Sequence, residues 1–239
     1  LSDCKKALEE ANDNREEAVK ILREKGLAKA AKKAGRIAAE GVVKAKVEGT
    51  NGVIVEINCE TDFCAKSDKF LELVETIADT ILANEAADVE ALNNVTVKGG
   101  NMTVKEYMTD KIATIGENMN IRRFQQVAEE NGFVSSYIHA GGKIGVLVDV
   151  KTDVINDEIK EMAKNIAALK PVYTNSSEVD EEYKAHELEI IKAQIENDPK
   201  MAGKPEKVIS GAVMGRLNKQ LKEICLLDQV YVKAEDGKQ

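Results

Sequence analysis

The 239-residue sequence has no tryptophan, only three prolines and 4% aromatic residues. Lysine and arginine number 34 against 42 aspartates and glutamates, which gives a formal net charge of −8. Nucleic-acid binding depends on positive charge that neutralises phosphates and on aromatic rings that stack on bases, so this composition argues against direct contact with nucleic acid. No apolar run approaches the ~20 residues of a membrane span, and no signal peptide is visible. We therefore expect a cytoplasmic protein that does not bind membranes.

Cysteine is scarce and scattered. The four cysteines are Cys4, Cys59, Cys64 and Cys225, and no two of them show the Cys-x-x-Cys spacing. Both histidines lie far from them in the sequence, whereas a zinc site needs Cys or His ligands that converge. We therefore expect reduced thiols, no disulfide and no metal site.

Motifs of catalysis are also missing. The sequence contains neither the GxxxxGK[ST] phosphate loop nor the GxSxG nucleophile elbow. Gly141 and Gly142 precede a predicted strand, whereas a phosphate-binding loop would open into a helix. His139 has no serine or cysteine at useful spacing. We expect no catalytic residue and no cofactor. The sequence leaves three hypotheses of function, and the weakest is an enzyme that uses His139 with nearby carboxylates.

The stretch around which the chain is organised is residues 52–66, GVIVEINCETDFCAK. Its apolar alternation predicts a half-buried strand, and the pattern becomes helical after Asp62. Phe63, at the exit of the turn, allows two interpretations. Thr61 or Asp62 caps the helix while Phe63 packs into the core, or Phe63 points outward as an apolar wedge aimed at a partner. The two are compatible, because a cap can hold a wedge in place.

The first 35 residues show helical periodicity. The pattern predicts a helix from Ser2, a second helix that Gly26 ends, and an alanine- and lysine-rich linker helix that runs from residue 27 to residue 40. Two helices this short cannot bury their apolar stripes alone. We expect a third helix from upstream or from a partner, and a natural N-terminus upstream of Leu1, which is not a methionine.

Two α/β units follow. Residues 36–118 predict a hairpin with an Asn-Gly turn, a helix from 62 to about 84 and a helix over 103–116. Residues 119–170 predict a strand near Ile121, strands over 134–138 and 144–150, and a helix over 156–169. The second unit repeats the plan of the first, although the similar stretch is too short to decide whether the units are duplicates. A last strand is expected within 225–232.

Residues 171–221 predict a helical hairpin, with helices over 178–196 and 206–221 joined by a loop of proline and glycine. Each of its helices carries only a narrow apolar stripe, here called the seam, and is otherwise rich in polar and charged residues. The hairpin either protrudes and pairs with another molecule, including a second copy, or packs back on its own domain.

Six stretches of this sequence resemble the elongation factor Ts family, the guanine-nucleotide exchange factors of elongation factor Tu. They occur in the order of the family over nearly the whole chain. They are DCKKALEEAN (3–12), AAKKAGRIAAEGVV (30–43), INCETDFCAKSDKF (57–70), IGENMNIRR (115–123), SYIHAGGKIGVLV (136–148) and ALKP (168–171). The family's first helix and its C-terminal module have no counterpart in these residues.

The resemblance implies an α+β fold. Residues 1–35 would form an incomplete ubiquitin-associated-like helical domain and linker, and residues 36–118 a core N-subdomain. Residues 119–170 with 222–239 would form a related antiparallel C-subdomain, and residues 171–221 a coiled-coil arm used for dimerisation in some members.

The resemblance also implies where elongation factor Tu binds. Thr61, Asp62 and Phe63 match the motif that meets the nucleotide-binding domain near its magnesium. Cys64 follows them as a fourth partner-binding residue, at a position where many members carry valine. The second subdomain would touch another domain of the partner through His139, Ala140, Gly141 and Gly142. The N-terminal helices, including Cys4, Lys5 and Lys6, would contact the nucleotide-binding domain.

The implied mechanism is nucleotide exchange without covalent chemistry. Phe63 would insert between helices of the partner while Asp62 fixes the approach, and the disturbed magnesium site would lose affinity for GDP. The alternative is a protein of the same fold that holds a GTPase as a scaffold without promoting exchange.

Overall fold

The computed structural model describes residues 2–154 and 157–234, except the side chains of Glu158 and Lys160. Helices and antiparallel strands are mixed, and the chain divides into two compact units, Leu1–Ala163 and Lys164–Gln239. In the described part of the chain the helices are too short or too polar to cross a membrane. In order, the elements are α1 (Ser2–Glu10), α2 (Arg15–Lys33), β1 (Glu40–Glu48), β2 (Asn51–Cys59), α3 (Asp62–Ala65), α4 (Asp68–Leu82), α5 (Val89–Leu92), α6 (Val104–Ile115), β3 (Met119–Ala128), β4 (Gly132–His139), β5 (Ile144–Lys151), α7 (Asp157–Leu169), α8 (Glu181–Glu196) and α9 (Glu206–Ile224).

Helix α1 packs on α2, and α2 packs on α6. The side chain of Asn14 caps α2 by accepting the backbone N–H groups of Glu16 and Glu17. The prediction that Gly26 ends this helix is wrong, because α2 continues to Lys33 without a break. The linker helix predicted over residues 27–40 is therefore wrong too, since its first part belongs to α2 and Glu40 begins β1. Glycine weakens a helix interior by about 1 kcal/mol relative to alanine, and packing against Ala113 of α6 supports the helix there.

The first sheet has the order β1-β2-β3, antiparallel throughout. One face carries α4 and holds the main core, since Val53, Val55 and Ile57 alternate inward along β2. The buried residues that α4 packs against this face include Phe70, Leu73, Val74, Ile77 and Ile81.

The β4–β5 hairpin forms a second sheet and covers the other face of the first. The contact is close: a Cβ atom on Gly52 would lie 2.7 Å from Val134 Cγ1 and 2.8 Å from Leu147 Cδ1. Glycine is therefore needed where the two sheets meet.

The partner of β3 differs from the expectation. The strand at Met119–Ala128 was predicted to open the second strand–strand–helix unit, but it pairs with β2, with Val55 opposite Phe124. The remaining strands of that predicted unit, β4 and β5, form a sheet of their own. The predicted domain boundaries and the relation between the two subdomains stay predictions.

The second unit contains the predicted helical hairpin. Helices α8 and α9 pack through Ile191, Ile195, Val213 and Leu217, which are all buried. Gln220 Nε2 donates to Glu187 Oε2 at 2.6 Å across the same contact. The narrow seam of each helix therefore faces the seam of the other.

The predicted strand within 225–232 is wrong. Cys225 makes a single bridge to Tyr173, and Leu226–Asp228 then forms a 3-10 turn. The backbone N–H of Val232 donates to Asn165 Oδ1 at 2.9 Å. A side-chain acceptor thus takes the place of the strand neighbour that the alternating pattern requires.

Candidate functional site

Strand β2 leads directly into the turn that the sequence singled out. Thr61 is extended (φ −123, ψ 155), and its hydroxyl accepts the N–H of Cys64 at 3.2 Å, which starts α3. Of the two predicted caps, Thr61 is therefore the one present, and Asp62 occupies the first helical turn. The predicted long helix is split, because Ser67 ends α3 by donating to Cys64 O at 2.8 Å and caps α4.

Glu117 holds this turn from across the fold. Its Oε2 atom accepts the backbone N–H groups of Glu60 and Thr61, each at 3.0 Å, and its Oε1 atom accepts the Thr61 hydroxyl at 2.6 Å. Burial opposes ionisation of Glu117, but the hydrogen bonds from Thr61 and Glu60 keep the pKa of its carboxyl below the ordinary 4.5. Gly116, in the left-handed conformation at φ 92, ends α6 and places Glu117.

A second set of bonds fixes the same turn to residues 34–36. The backbone N–H of Asn118 donates to Glu60 Oε1 at 2.5 Å, and the side-chain Nδ2 of Asn118 donates to the carbonyl of Arg36 at 2.7 Å. The Arg36 guanidinium lies 3.6 Å from Glu60 Oε2. The turn therefore has backbone contacts on both sides.

Phe63 points away from the protein. Its side chain is 83% exposed, so the prediction that it packs into the core is wrong and the wedge interpretation is the one that fits. The neighbouring Asp62 accepts from Lys66 Nζ at 2.8 Å, and this bond lowers the pKa of the Asp62 carboxyl. Aromatic side chains are enriched at protein interfaces relative to the rest of the surface.

One further residue near this turn carries no signal in the sequence. Ile37 is 84% exposed and follows Arg36, which contacts Glu60 and Asn118. An isoleucine in a connecting loop has no periodic signal in the sequence. Its position becomes informative only once residues 34–36 are seen to pack against the turn.

The predicted second-subdomain site is the tight turn between β4 and β5. Ala140, Gly141 and Gly142 all have positive φ (49, 66 and 95), so three successive residues are left-handed. The Gly142 carbonyl accepts the N–H of Val43 at 2.7 Å, which ties the turn to β1. His139 is exposed, and its Nδ1 lies 3.0 Å from the Tyr137 hydroxyl.

These two predicted sites lie at the same end of the first sheet. Glu40 is the Cα partner of Cys59, two residues before Thr61. The Glu40 carboxylate accepts from Lys143, the residue after Gly142, at 2.5 Å. The structure therefore brings the Thr61–Cys64 turn and the His139–Gly142 turn to one edge.

The third predicted group lies on α1. Cys4, Lys5 and Lys6 are exposed there, and Lys5 lies 3.8 Å from Glu9 of the same helix. Their nearest tie to the turn is indirect. It runs through α2, whose Lys33 donates to Gly116 O at 2.6 Å.

The four cysteines are free, as expected, but two of them lie closer together than their spacing indicated. Cys59 and Cys64 are buried, and their sulfur atoms and a carboxylate oxygen of Glu117 lie within 4.8 Å of one another. Burial raises the pKa of both thiols. The strand-to-helix turn brings Cys59 and Cys64 together. Four residues lie between them in the sequence, a spacing that does not by itself indicate a pair.

Comparison with known proteins identifies the family of the chain. The chain matches the Elongation factor TS family over residues 60–238. Elongation factor Ts of Clostridium acetobutylicum is 47% identical over 239 residues, covering 98% of this chain and 77% of the relative. The chain belongs to the elongation factor Ts family. Elongation factors Ts of Clostridium novyi and Clostridioides difficile are each 46% identical, covering 99% of this chain and 78% of the relative. The chain is therefore an elongation factor of protein synthesis.

Proposed function

We propose that this chain binds elongation factor Tu·GDP and promotes release of GDP by disturbing the magnesium and phosphate site of that partner, which allows GTP to bind. The observation that carries the proposal is the outward Phe63 side chain, 83% exposed, on a turn tied down by Glu117. No covalent bond is made or broken in this function.

Burial of the Phe63 ring in the partner and binding of GDP to the partner are thermodynamically linked. Burying a phenylalanine side chain is worth about 1.5–3 kcal/mol, and this free energy becomes available only when a partner accepts the ring. If the partner conformation that accepts the ring holds magnesium and phosphate poorly, insertion of Phe63 lowers the affinity of the partner for GDP. Bound GDP then weakens the hold of this chain by the same factor.

The experiment that tests the proposal measures release of a fluorescent GDP analogue from elongation factor Tu with this chain in sub-stoichiometric amounts. Fast release with turnover is expected. Binding without acceleration would favour the scaffold alternative, and no binding would contradict both.

The partner surface extends beyond Phe63 in this proposal. Ile37 adds a second exposed apolar side chain beside the turn, and His139 to Gly142 meet another domain of elongation factor Tu from the same edge. Cys4, Lys5 and Lys6 of α1 contact the nucleotide-binding domain. His139→Ala is expected to reduce exchange modestly, since His139 serves as one surface contact among several, and an abolishing effect would revive the enzyme hypothesis.

The helical hairpin provides a site for a homodimer in this proposal. Its buried seam is used within the hairpin, but Ile190, Val208 and Met214 are 38%, 48% and 48% exposed on its helices. Sedimentation equilibrium tests the dimer, with Val208→Glu expected to shift the chain toward monomer. A single monomeric species at all concentrations would contradict it.

A further inference from the structure

The cluster of Cys59, Cys64 and Glu117 lies directly under the turn that carries Phe63. Cys59 is 0% and Cys64 5% exposed, and the three donor atoms lie within 4.8 Å of one another. The proposed exchange function uses the surface of this turn and gives no role to the two thiols. We propose that Cys59, Cys64 and Glu117 form a binding site for a thiophilic divalent cation of the zinc and cadmium class.

The distances suit such an ion. Zinc binds thiolate at ~2.3 Å and carboxylate at about 2.0–2.2 Å in tetrahedral sites, so two coordinating sulfurs lie ~3.8 Å apart. A cluster whose donors are all within 4.8 Å reaches this geometry with side-chain movements of about 1 Å. Three protein ligands leave the fourth position to water. Two thiolates also select a soft ion over magnesium or calcium, which prefer oxygen ligands.

The carboxylate can take part without releasing the turn. Glu117 already accepts the two backbone N–H groups of Glu60 and Thr61 and the Thr61 hydroxyl. A carboxylate offers about four lone-pair sites, and the Cys64 thiol interacts with this carboxylate already. When the cation binds, both thiols lose their protons to solvent and two metal–sulfur bonds and one metal–oxygen bond form. No group is oxidised or reduced.

Burial has a kinetic consequence. Because both sulfurs are covered, the ion enters only when the turn opens, so we expect binding far slower than diffusion. A bound ion would join the end of β2, the first turn of α3 and Glu117, two residues after α6. Amide hydrogen exchange at Cys64 and Ala65 is therefore expected to slow when the ion is present.

Titration of the full, reduced, chelator-treated chain with Cd²⁺ tests the proposal through the ultraviolet thiolate-to-metal absorption band. The expected result is a band that saturates at one equivalent and is unchanged in the matched control Cys4→Ser, Cys225→Ala. Cys64→Val, which conserves size and apolar character, is expected to lose the band, and Glu117→Gln to weaken binding roughly tenfold.

Two results would overturn the site. One is the absence of a saturable band in the wild-type chain. The other is a wild-type band that persists in Cys64→Val, which would assign the metal to other thiols. Circular dichroism confirms that each variant is folded. If Cys64→Val does not fold, Glu117→Gln decides the question, because it retains both cysteines and should still weaken binding of Cd²⁺. The measurement needs no partner, so it can fail or succeed independently of the exchange proposal.

Discussion

Glu117 and Thr61 are joined at two points although 56 positions separate them in the sequence. The carboxylate accepts the backbone N–H of Thr61 at 3.0 Å and its hydroxyl at 2.6 Å. The same hydroxyl accepts the N–H of Cys64. Thr61 therefore connects Glu117, two residues after α6, to the first turn of α3, and the backbone at Phe63 is held in place before any partner arrives. Such preorganisation reduces the entropic cost of binding.

Phe63→Ala should separate the wedge from the core. Because the ring is 83% exposed, we expect the free energy of unfolding to change by less than about 0.5 kcal/mol. An aromatic hot spot is worth about 2 kcal/mol of binding or more, so the exchange rate at low concentration should fall roughly thirtyfold. Leu227→Ala is the matched control, since Leu227 is 65% exposed in the other unit. A collapse of thermal stability in Phe63→Ala would refute the wedge.

Thr61→Val tests whether the turn must be held. Loss of an N-cap costs about 1 kcal/mol of stability, and the hydroxyl bond to Glu117 is lost as well. The control is Thr103→Val, because the Thr103 hydroxyl caps α6 by accepting from Glu106 N and also donates to a carboxylate, Glu106 Oε2, at 3.3 Å. We expect both variants to lose similar stability in urea unfolding. Only Thr61→Val should slow nucleotide release, by roughly tenfold if about 1.4 kcal/mol of preorganisation is lost. Equal exchange rates in the two variants would show that positioning is unimportant.

Gly142→Ala should be costly where Gly141→Ala is mild. Both glycines are left-handed, which costs an L-residue about 1–2 kcal/mol. A Cβ atom on Gly142 would also lie 2.9 Å from Val42 Cβ, whereas one on Gly141 meets nothing within 4 Å. We expect a loss of about 2–4 kcal/mol for Gly142→Ala, which includes overpacking. Urea unfolding of the two variants measures the difference, and equal losses would show that β1 yields to the added methyl group.

Local patterns predicted most of the elements. The alternation in β1, β2 and β5, the helical spacing of α4 and α6, and the hairpin of α8 and α9 all have periods that the sequence displays directly. The errors concern facts that depend on distant residues. Gly26 lies inside a helix that packs against α6, a contact that its own neighbours in the sequence do not indicate. The pairing of β3 with β2 could not be predicted, because the pattern of a strand does not specify its neighbour.

The candidate site was predicted in part for the same reason. The type of Thr61 and its place before a helical pattern were sufficient to predict a cap. The orientation of Phe63, the contact of Glu117 and the approach of Cys59 to Cys64 depend on residues up to 57 positions apart. Ile37 could be placed at the site only through Asn118, which binds the carbonyl of Arg36.

The ion pairs between β1 and α4 should give the fold a defined pH dependence. Glu75 accepts from Lys44 at 2.6 Å and from Lys46 at 2.8 Å, and these bonds lower the pKa of its carboxyl below 4.5. A carboxyl whose pKa is lower in the folded state contributes stability above its unfolded pKa. The contribution disappears as the pH falls through the folded pKa.

Glu75→Gln should therefore lower the free energy of unfolding at about pH 7 and have a smaller effect at about pH 3. Because the Glu75 side chain is 43% exposed, solvent screens the pairs and limits the loss to about 0.5–1 kcal/mol. Urea unfolding at the two pH values measures it, with Glu72→Gln as the control on the same helix. Glu72 is 68% exposed and lies 3.9 Å from Lys111, so its loss should be smaller. A deficit in Glu75→Gln that is the same at both pH values would mean that packing of α4 on β1, and not charge, makes Glu75 stabilising.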